Sequence, residues 1–232
     1  MAINPDNSLD CFHVAYCGSS GSGKGVALKL AGHVGSRVAI FDVYGEYRAS
    51  PIKALSGIGK GRKVHKYTTR RTFTAAFVAA WKSGKGFAVS YHPNEKADRR
   101  KEAIWFAGLI WAASDGKRRL DAVFEEMGTY SDTSGTDGSL IQEIATGGRK
   151  YAIHAHFLFQ RPQQVPKSII NQCTNMFVGA QEAMSDVKHW CDRLNCSQAE
   201  IIQLGKQNQK RHKFYLHKSA GVGNYKPIDY KF

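Results

Sequence analysis

The sequence lacks several features that would place its 232 residues in other classes of protein. No window approaches the roughly 18 apolar residues of a membrane-spanning helix, and the polar start, Met1 to Asp10, predicts no signal peptide. The five cysteines are odd in number and scattered, which is typical of reduced cysteines rather than of a disulfide framework. Internal repeats and low-complexity tails are also missing. We therefore expect one domain over residues 1–232 that works inside a cell or in a particle assembled there.

Acidic residues are missing from two long stretches of the chain. None occurs between Arg48 and Asn94, where ten residues are Lys or Arg, and six of these ten lie between Lys60 and Arg71. None occurs between Ile201 and Ile228, which carries six further Lys or Arg. With 33 Lys and Arg against 19 Asp and Glu, the formal net charge is +14. Clustered positive charge favours nucleic acid as a partner over a merely soluble basic surface.

The most informative segment that is present is rich in glycine. Residues 18–25 read Gly-Ser-Ser-Gly-Ser-Gly-Lys-Gly, between an apolar run, Phe12 to Cys17, and a helical pattern that starts at Val26. Such a turn points successive backbone N–H groups into one concave space that suits a di- or triphosphate, and the helix N-terminus adds positive potential. The spacing Gly-x-x-x-x-Gly-Lys predicts that Lys24 reaches the β- and γ-phosphates. The predicted nucleotide-binding residues are Gly18, Ser19, Ser20, Gly21, Ser22, Gly23, Lys24, Gly25 and Val26.

Strand and helix patterns alternate along the rest of the chain. Apolar runs predict strands over residues 12–17, 37–42, 63–67, 86–91, 120–124, 153–159, 175–178 and 213–217, the last being the final strand. Most of them are separated by segments with helical periodicity. This alternation predicts an α/β fold with a mostly parallel central sheet and helices on both faces. Ligands of such folds bind at the carboxyl ends of the strands, where the glycine-rich turn also lies.

Two glutamates follow the predicted strand over residues 120–124. Hydrolysis of a nucleoside triphosphate needs a metal ion, an oriented water molecule and neutralisation of charge on the γ-phosphate. Glu125 is placed to hold Mg²⁺ directly or through water, and Glu126 is placed to polarise the attacking water. The alternative is a solvated acidic strand end, which is the weaker interpretation beside a phosphate-binding turn.

Three further side chains are candidates for catalysis. Gln160 ends the strand over residues 153–159 and could hydrogen-bond both water and a γ-phosphate oxygen, or could simply cap the chain before Pro162. Arg149 and Arg161 are candidates for an arginine finger, which stabilises charge in the transition state and can come from a neighbouring subunit. Each of these arginines could equally be a surface residue or a DNA contact.

Several motifs together resemble the FtsK–HerA superfamily of DNA-pumping ATPases, over residues 10–180. The glycine-rich turn is similar to their phosphate loop, and Asp42-Val-Tyr-Gly-Glu-Tyr47 resembles the segment after their second strand. Val123-Phe-Glu-Glu126 looks like their Walker B strand, and the segment 148–163, with its Gln-Arg-Pro, resembles their sensor segment. Residues 165–178 continue the match. The short basic chain is most similar to the genome-packaging ATPases of tailless, internal-membrane icosahedral viruses such as tectiviruses.

The resemblance implies an enzyme with a P-loop, RecA-like fold that uses ATP and Mg²⁺. It implies a homo-oligomeric ring, for which a hexamer is one candidate size, at a capsid vertex or beside inner-membrane proteins. The ring would drive double-stranded DNA into the capsid, in the host cytoplasm and the virion. By position, Lys24 would bind phosphate, Glu125 would hold Mg²⁺, Glu126 would activate water and Gln160 would act as the sensor.

Two departures from the family pattern affect the metal site. Gly25 stands where a Ser or Thr hydroxyl normally binds Mg²⁺, and Glu125 replaces the usual aspartate. Two compensations are open: the longer Glu125 side chain reaches further, or a neighbouring hydroxyl such as that of Ser22 assists.

Two other functions remain open. The first is a nucleotide-binding virion-vertex or assembly protein with little hydrolysis, which the glycine at position 25 supports. The second is a related DNA-extrusion or conjugation ATPase.

Overall fold

A computed structural model of the protein describes residues 12–47, 50–59, 61–132 and 138–232. These residues form one nine-stranded sheet with the order β3-β4-β2-β5-β6-β1-β7-β8-β9. The strands are β1 (Val14–Cys17), β2 (Arg37–Phe41), β3 (His65–Tyr67), β4 (Phe87–Tyr91), β5 (Leu120–Phe124), β6 (Ile153–Phe159), β7 (Asn175–Val178), β8 (His212–Lys218) and β9 (Tyr225–Lys231). Strands β1 to β7 are paired in parallel, as alternating strands and helices require. The predicted α/β class with a mostly parallel sheet is therefore confirmed.

Seven α-helices connect the strands in the described part of the chain. They are α1 (Lys24–Leu30), α2 (Arg70–Lys82), α3 (Arg99–Ala113), α4 (Leu140–Gly147), α5 (Lys167–Gln172), α6 (Met184–Leu194) and α7 (Gln198–Gln207). Polar side chains cap several of them at the N-terminus, including Thr69 before α2 and Asp98 before α3. Ser197 and Glu200 form a reciprocal capping box at α7. None of the helices among the described residues is long and apolar enough to cross a membrane.

The two faces of the sheet bury separate hydrophobic clusters. Successive side chains of a strand point to opposite faces, so Ala15 and Cys17 of β1 join one cluster while Val14 and Tyr16 join the other. The larger cluster packs helices α2 to α7 against the sheet, and the smaller one packs α1. Strands buried on both faces explain why the sequence shows continuous apolar runs here rather than alternation.

The prediction that the strand over residues 213–217 is the last one was wrong. Strand β8 turns back antiparallel to β7, and β9 pairs antiparallel with β8 at the edge of the sheet. The β9 sequence carries Pro227 and charged side chains, and its residues are half-buried or exposed. Proline is tolerated in an edge strand because only one side of the strand is hydrogen-bonded. The strand therefore lacks the apolar run by which the central strands were predicted.

Candidate active site

The largest concentration of predicted site residues surrounds a cavity of about 420 Å³ at the carboxyl edge of the parallel strands. The phosphate loop follows β1 there, with β6 and β5 on one side of it and β7 and β8 on the other. The cavity is lined by Ser20, Gly21, Gly23, Lys24, Gly25, Val26, Lys29, Tyr44, Glu46, Leu55, Glu125, Glu126, Leu158, Gln160 and Lys213. The structure thus brings the loop, both strand-end glutamates and Gln160 to one place.

The conformation of the loop explains its glycines. Gly21 and Gly23 have φ angles of 75° and 96°, which side-chain-bearing residues rarely adopt. The Lys24 ammonium donates to the carbonyl oxygens of Gly18 at 3.0 Å and Ser19 at 3.4 Å, so it folds back over the loop. These neutral acceptors are the kind of partner that phosphate oxygens would replace, since charge-assisted hydrogen bonds are stronger.

Ser22 and Gly25, the two loop positions that bear on the metal site, lie in different surroundings. Ser22 is buried on the underside of the loop, where its side chain packs against Gly18 and Gly179, and it does not line the cavity. Its hydroxyl is therefore badly placed to assist a metal ion there. Gly25 does line the cavity, and a Cβ atom at this position would meet no other atom within 4 Å. The fold therefore leaves room for a side chain that this sequence omits.

The Glu125 carboxylate is buried at the end of β5. It accepts a hydrogen bond of 2.9 Å from the Tyr47 hydroxyl. Burial above all, together with the charges of Asp42, Glu46 and Glu126, raises its pKa to about 8, while the Tyr47 hydrogen bond acts in the opposite direction. A carboxyl group held largely neutral by burial and by these neighbouring charges is poised to ionise when a cation enters the cavity.

Glu126 occupies a different environment from its neighbour. It has a left-handed backbone conformation, with φ 47° and ψ 49°, and its side chain is only partly buried. The turn that follows is held by the Thr129 hydroxyl, which donates to the Glu126 carbonyl oxygen at 2.9 Å. Non-glycine residues adopt this conformation rarely, and such strain is concentrated at functional sites. The left-handed conformation of Glu126 gives the adjacent glutamates 125 and 126 separate positions on the cavity wall.

A turn after β2 supplies functional residues that sequence reasoning did not assign. The buried Asp42 carboxylate accepts from the backbone N–H groups of Glu46 at 2.9 Å and Tyr47 at 3.4 Å. This Asp-centred turn delivers Glu46 to the cavity and Tyr47 to Glu125. The sequence places Asp42–Tyr47 at a strand end, which is a usable signal for a site, but it predicts no role for Glu46 or Tyr47.

Two lysines of the cavity were also missed. Lys29 lies on α1, donates to the Leu55 carbonyl oxygen at 3.1 Å and sits 5.4 Å from the Tyr47 ring centroid. Burial lowers its pKa, while the nearby carboxylates, Glu125 foremost, act in the opposite direction. Lys213 comes from β8, far away in the sequence. The cavity therefore carries three ammonium groups and three carboxyl groups.

The structure separates the remaining candidates. Gln160 follows β6 and lines both the main cavity and an adjoining cavity of about 350 Å³. Arg161 points into that adjoining cavity and forms an ion pair with the buried carboxylate of Asp186 at 2.9 Å. Arg149 lies in a 3-10 turn, Gly148–Tyr151, that precedes β6. Since β6 has seven residues at about 3.3 Å each, Arg149 is roughly 20 Å from its own cavity.

The carboxylates present fit a magnesium ion that arrives with a nucleotide. Mg²⁺ in such enzymes is bound by one or two carboxylates together with phosphate oxygens and water. Glu46, Glu125 and Glu126 line the same cavity as the phosphate loop. No group of three acidic, histidine or cysteine side chains in the described part of the chain is assembled to hold a metal ion alone. The donor set therefore suits a shared metal rather than a resident one.

A phosphate loop that faces carboxylates across the carboxyl edge of a parallel sheet defines a P-loop NTPase fold, and solved structures confirm it. The chain is similar to the genome-packaging NTPase B204 of Sulfolobus turreted icosahedral virus 2, solved with AMPPCP, with a TM-score of 0.62 and 16% identity over 95% of this chain and 97% of that one. It is similar to the bacterial conjugative coupling protein TrwBΔN70, with a TM-score of 0.61 and 11% identity over 97% and 86% of the chains.

A sequence relative covers nearly the whole chain. Protein P9 of Pseudoalteromonas phage PM2 is 25% identical over 230 residues, which cover 97% of this chain and 94% of that protein. No family model matches the chain. The predicted resemblance to viral packaging and FtsK–HerA-like ATPases is confirmed at the level of the fold by the solved structures to which the chain is similar.

Proposed function

We propose that this protein is an ATPase that drives double-stranded DNA into a preformed viral capsid. The observation that carries the proposal is the single cavity in which Lys24 and its loop face Glu125, Glu126 and Gln160. The likeness to the packaging NTPase B204, which was solved with ATP analogues, supports both the nucleotide and the biological role. The single-domain organisation over residues 1–232 remains part of this proposal.

The roles of the residues follow from their positions. Lys24 exchanges the loop carbonyls for the β- and γ-phosphate oxygens, and the backbone amides of the loop hold the same phosphates. Glu125 would hold Mg²⁺, which neutralises charge on the phosphates when it is bound. Glu126, on the more open part of the wall, polarises the attacking water. Gln160 contacts that water or the γ-phosphate and transmits the nucleotide state to the adjoining cavity.

A ring of subunits explains the position of Arg149. Arg149 lies too far from the cavity of its own subunit to act there. In a ring, however, the edge of a subunit that carries Arg149 can face the cavity of the next subunit. We therefore place Arg149 as the arginine finger acting between subunits. Arg161, which forms an ion pair with Asp186 of the same chain, is the other candidate. The ring would stand at a capsid vertex or beside inner-membrane proteins, in the host cytoplasm and the virion.

DNA is proposed to contact basic loops of the ring. One candidate surface is Lys60–Arg71, of which Lys60 lies outside the described residues; Lys63 and Lys66 are exposed on or beside the edge strand β3. The Lys66 ammonium lies beside Gly45, in the turn that carries Glu46 into the cavity. The other candidate is the loop 128–138, of which residues 133–137 lie outside the described part. Such contacts reach the phosphate backbone and give little sequence preference.

The decisive experiment is ATP turnover with and without double-stranded DNA, for the native chain and for Glu126→Gln and Lys24→Ala. DNA should stimulate turnover by the native chain, Glu126→Gln should bind ATP but hydrolyse it at least a hundredfold more slowly, and Lys24→Ala should bind ATP much more weakly. DNA affinity should fall steeply between 50 and about 200 mM salt, because each phosphate contact releases counterions. Turnover that ignores DNA, or DNA affinity that is flat with salt, would contradict the translocase.

A second candidate function is a vertex protein that binds ATP and barely hydrolyses it. Gly25 favours it, because the position faces the cavity and carries no hydroxyl. It predicts tight ATP binding with negligible turnover under every DNA condition. A DNA-extrusion or conjugation ATPase, suggested by the likeness to TrwB, predicts DNA-stimulated turnover but no protein incorporated into virions.

A further inference from the structure

Strand β8 brings a lysine to the phosphate loop from the far end of the chain. Because β8 runs antiparallel to β7, its first residues lie at the edge of the sheet where the parallel strands end. Side chains alternate along it, so Lys213, Tyr215 and His217 share the face that carries α1. Tyr215 and His217 pack there against Phe177, and Lys213 continues the row onto the loop.

The contact between this strand and the loop is close and specific. The buried Tyr215 hydroxyl donates to the Gly23 carbonyl oxygen at 2.8 Å. A Cβ atom at Gly23 would collide with that hydroxyl and would stand 2.8 Å from Lys213 Cγ. Gly23 is thus required both by its φ angle of 96° and by the approach of β8. The backbone of the loop residue before Lys24 is clamped by the strand that carries Lys213.

Lys213 stands on the opposite wall from the acidic residues. In the sheet order, β5 lies two strands from β1 on one side and β8 lies two strands from β1 on the other. With neighbouring strands about 4.8 Å apart, each wall is roughly 10 Å from the loop strand. Glu125 and Glu126 belong to the first wall, and Lys213 belongs to the second. Within the described residues, the Lys213 ammonium forms no ion pair.

We infer that Lys213 binds the α-phosphate of the nucleotide, as a positioning residue that holds ADP as well as ATP. This inference rests on the proposed function, in which the γ-phosphate faces Glu125, Glu126 and Gln160. The wall that carries Lys213 then faces the nucleoside end of the phosphate chain. The phosphate nearest to that end is the α-phosphate, and the unpaired Lys213 ammonium would bind it. Lys24 and Lys213 therefore divide the phosphates between them.

The test compares ATP and ADP binding, by calorimetry with Mg²⁺, for the native chain, Lys213→Ala, Lys213→Arg and Lys24→Ala. Lys213→Ala should weaken ATP and ADP by the same factor, about ten- to a hundredfold. Lys213→Arg should restore both to within about threefold, because it keeps the charge. Turnover at saturating ATP should change less than about threefold in Lys213→Ala, so KM moves while kcat does not. Lys24→Ala should weaken ATP more than ADP.

Lys226→Ala is the matched control, since this exposed lysine lies on β9 of the same hairpin and does not line the cavity. It should leave both affinities unchanged. Unchanged affinities in Lys213→Ala, a loss confined to ATP, or an equal loss in Lys226→Ala would each overturn the inference. A native chain that binds both nucleotides without DNA-stimulated turnover would refute the translocase but leave this test intact. A native chain that binds neither would overturn both.

Discussion

The raised pKa of the buried Glu125 carboxyl predicts how the free energy of unfolding of the nucleotide-free protein changes with pH. Its pKa is about 8 in the folded chain, against an ordinary value of 4.5. Below pH 4.5 the group is neutral in both the folded and the unfolded chain and has no effect on their balance. As the pH rises from 4.5 to 8, the unfolded chain loses this proton first, and the folded state is penalised increasingly. Above pH 8 the penalty is constant.

The magnitude follows from the two pKa values. One pH unit corresponds to about 1.4 kcal/mol, so the penalty is about 3 kcal/mol at pH 7 and about 5 kcal/mol above pH 8. In Glu125→Gln the amide oxygen still accepts from Tyr47, and the repulsion by Asp42, Glu46 and Glu126 is gone. Leaving the new amide N–H group poorly paired costs about 1 kcal/mol. We therefore expect Glu125→Gln to be more stable than the native chain by about 2 kcal/mol at pH 7.

The assay is urea unfolding of both proteins at pH 5, 6, 7 and 8, with EDTA and without nucleotide. The stability difference should grow by about 1.4 kcal/mol for each pH unit up to 8. Glu126→Gln is the control, because its carboxylate is partly exposed; it should change stability by less than about 0.5 kcal/mol at every pH. A difference between Glu125→Gln and the native chain that is constant from pH 5 to 8 would refute the reasoning.

Three other predictions concern neighbouring positions. Gly25→Ser should leave the urea midpoint within error and keep or raise ATP turnover, because the new side chain meets no atom; a collapse of turnover would show that the hydroxyl does not fit this metal geometry. Tyr47→Phe should lower the unfolding free energy by about 1 kcal/mol, measured by urea unfolding, through loss of the hydrogen bond to Glu125. Asp121 is buried, and burial alone would raise its pKa, but His156 and Arg119 lower the pKa below its ordinary value. The ionised Asp121 carboxylate therefore stabilises the folded chain above about pH 4, and this stabilisation is lost as the pH falls further. Asp121→Asn should therefore cost about 3 kcal/mol at pH 7, and an acid-unfolding curve identical to that of the native chain would contradict this.

The features that the sequence predicted correctly are those that local chemistry determines. The phosphate loop is a short segment whose glycines and lysine act within a few residues of one another, and β1, β2, β5 and β6 are buried on both faces and therefore continuous in apolar residues. The glutamates 125 and 126 follow directly from the end of β5. Because parallel strands bring their carboxyl ends to one edge, the order of elements was enough to gather these side chains.

The features that were missed depend on contacts between distant parts of the chain. Tyr47 becomes part of the site only because the turn after β2 meets the end of β5, 78 residues later. Lys213 becomes part of it only because β8 reverses direction beside β7. The ion pair between Arg161 and Asp186 likewise forms only because a helix later in the chain packs beside the end of β6. Neither periodicity nor motif spacing predicts these contacts, because the contacts depend on the order of the strands in the sheet.

The strand order also explains why the Lys213 ammonium and the Glu125 carboxyl belong to different walls of one cavity. The phosphate loop follows the central strand of the group β5-β6-β1-β7-β8, so the backbones of β5 and β8 are about 20 Å apart across the sheet. The two side chains reach over the loop from opposite sides, and in the described part of the chain they are not paired with each other. A polyphosphate chain laid along the loop is negative throughout, so it can meet Lys213 at one end and a cation-loaded Glu125 at the other. The opposite charges on the two walls are therefore complementary to such a ligand.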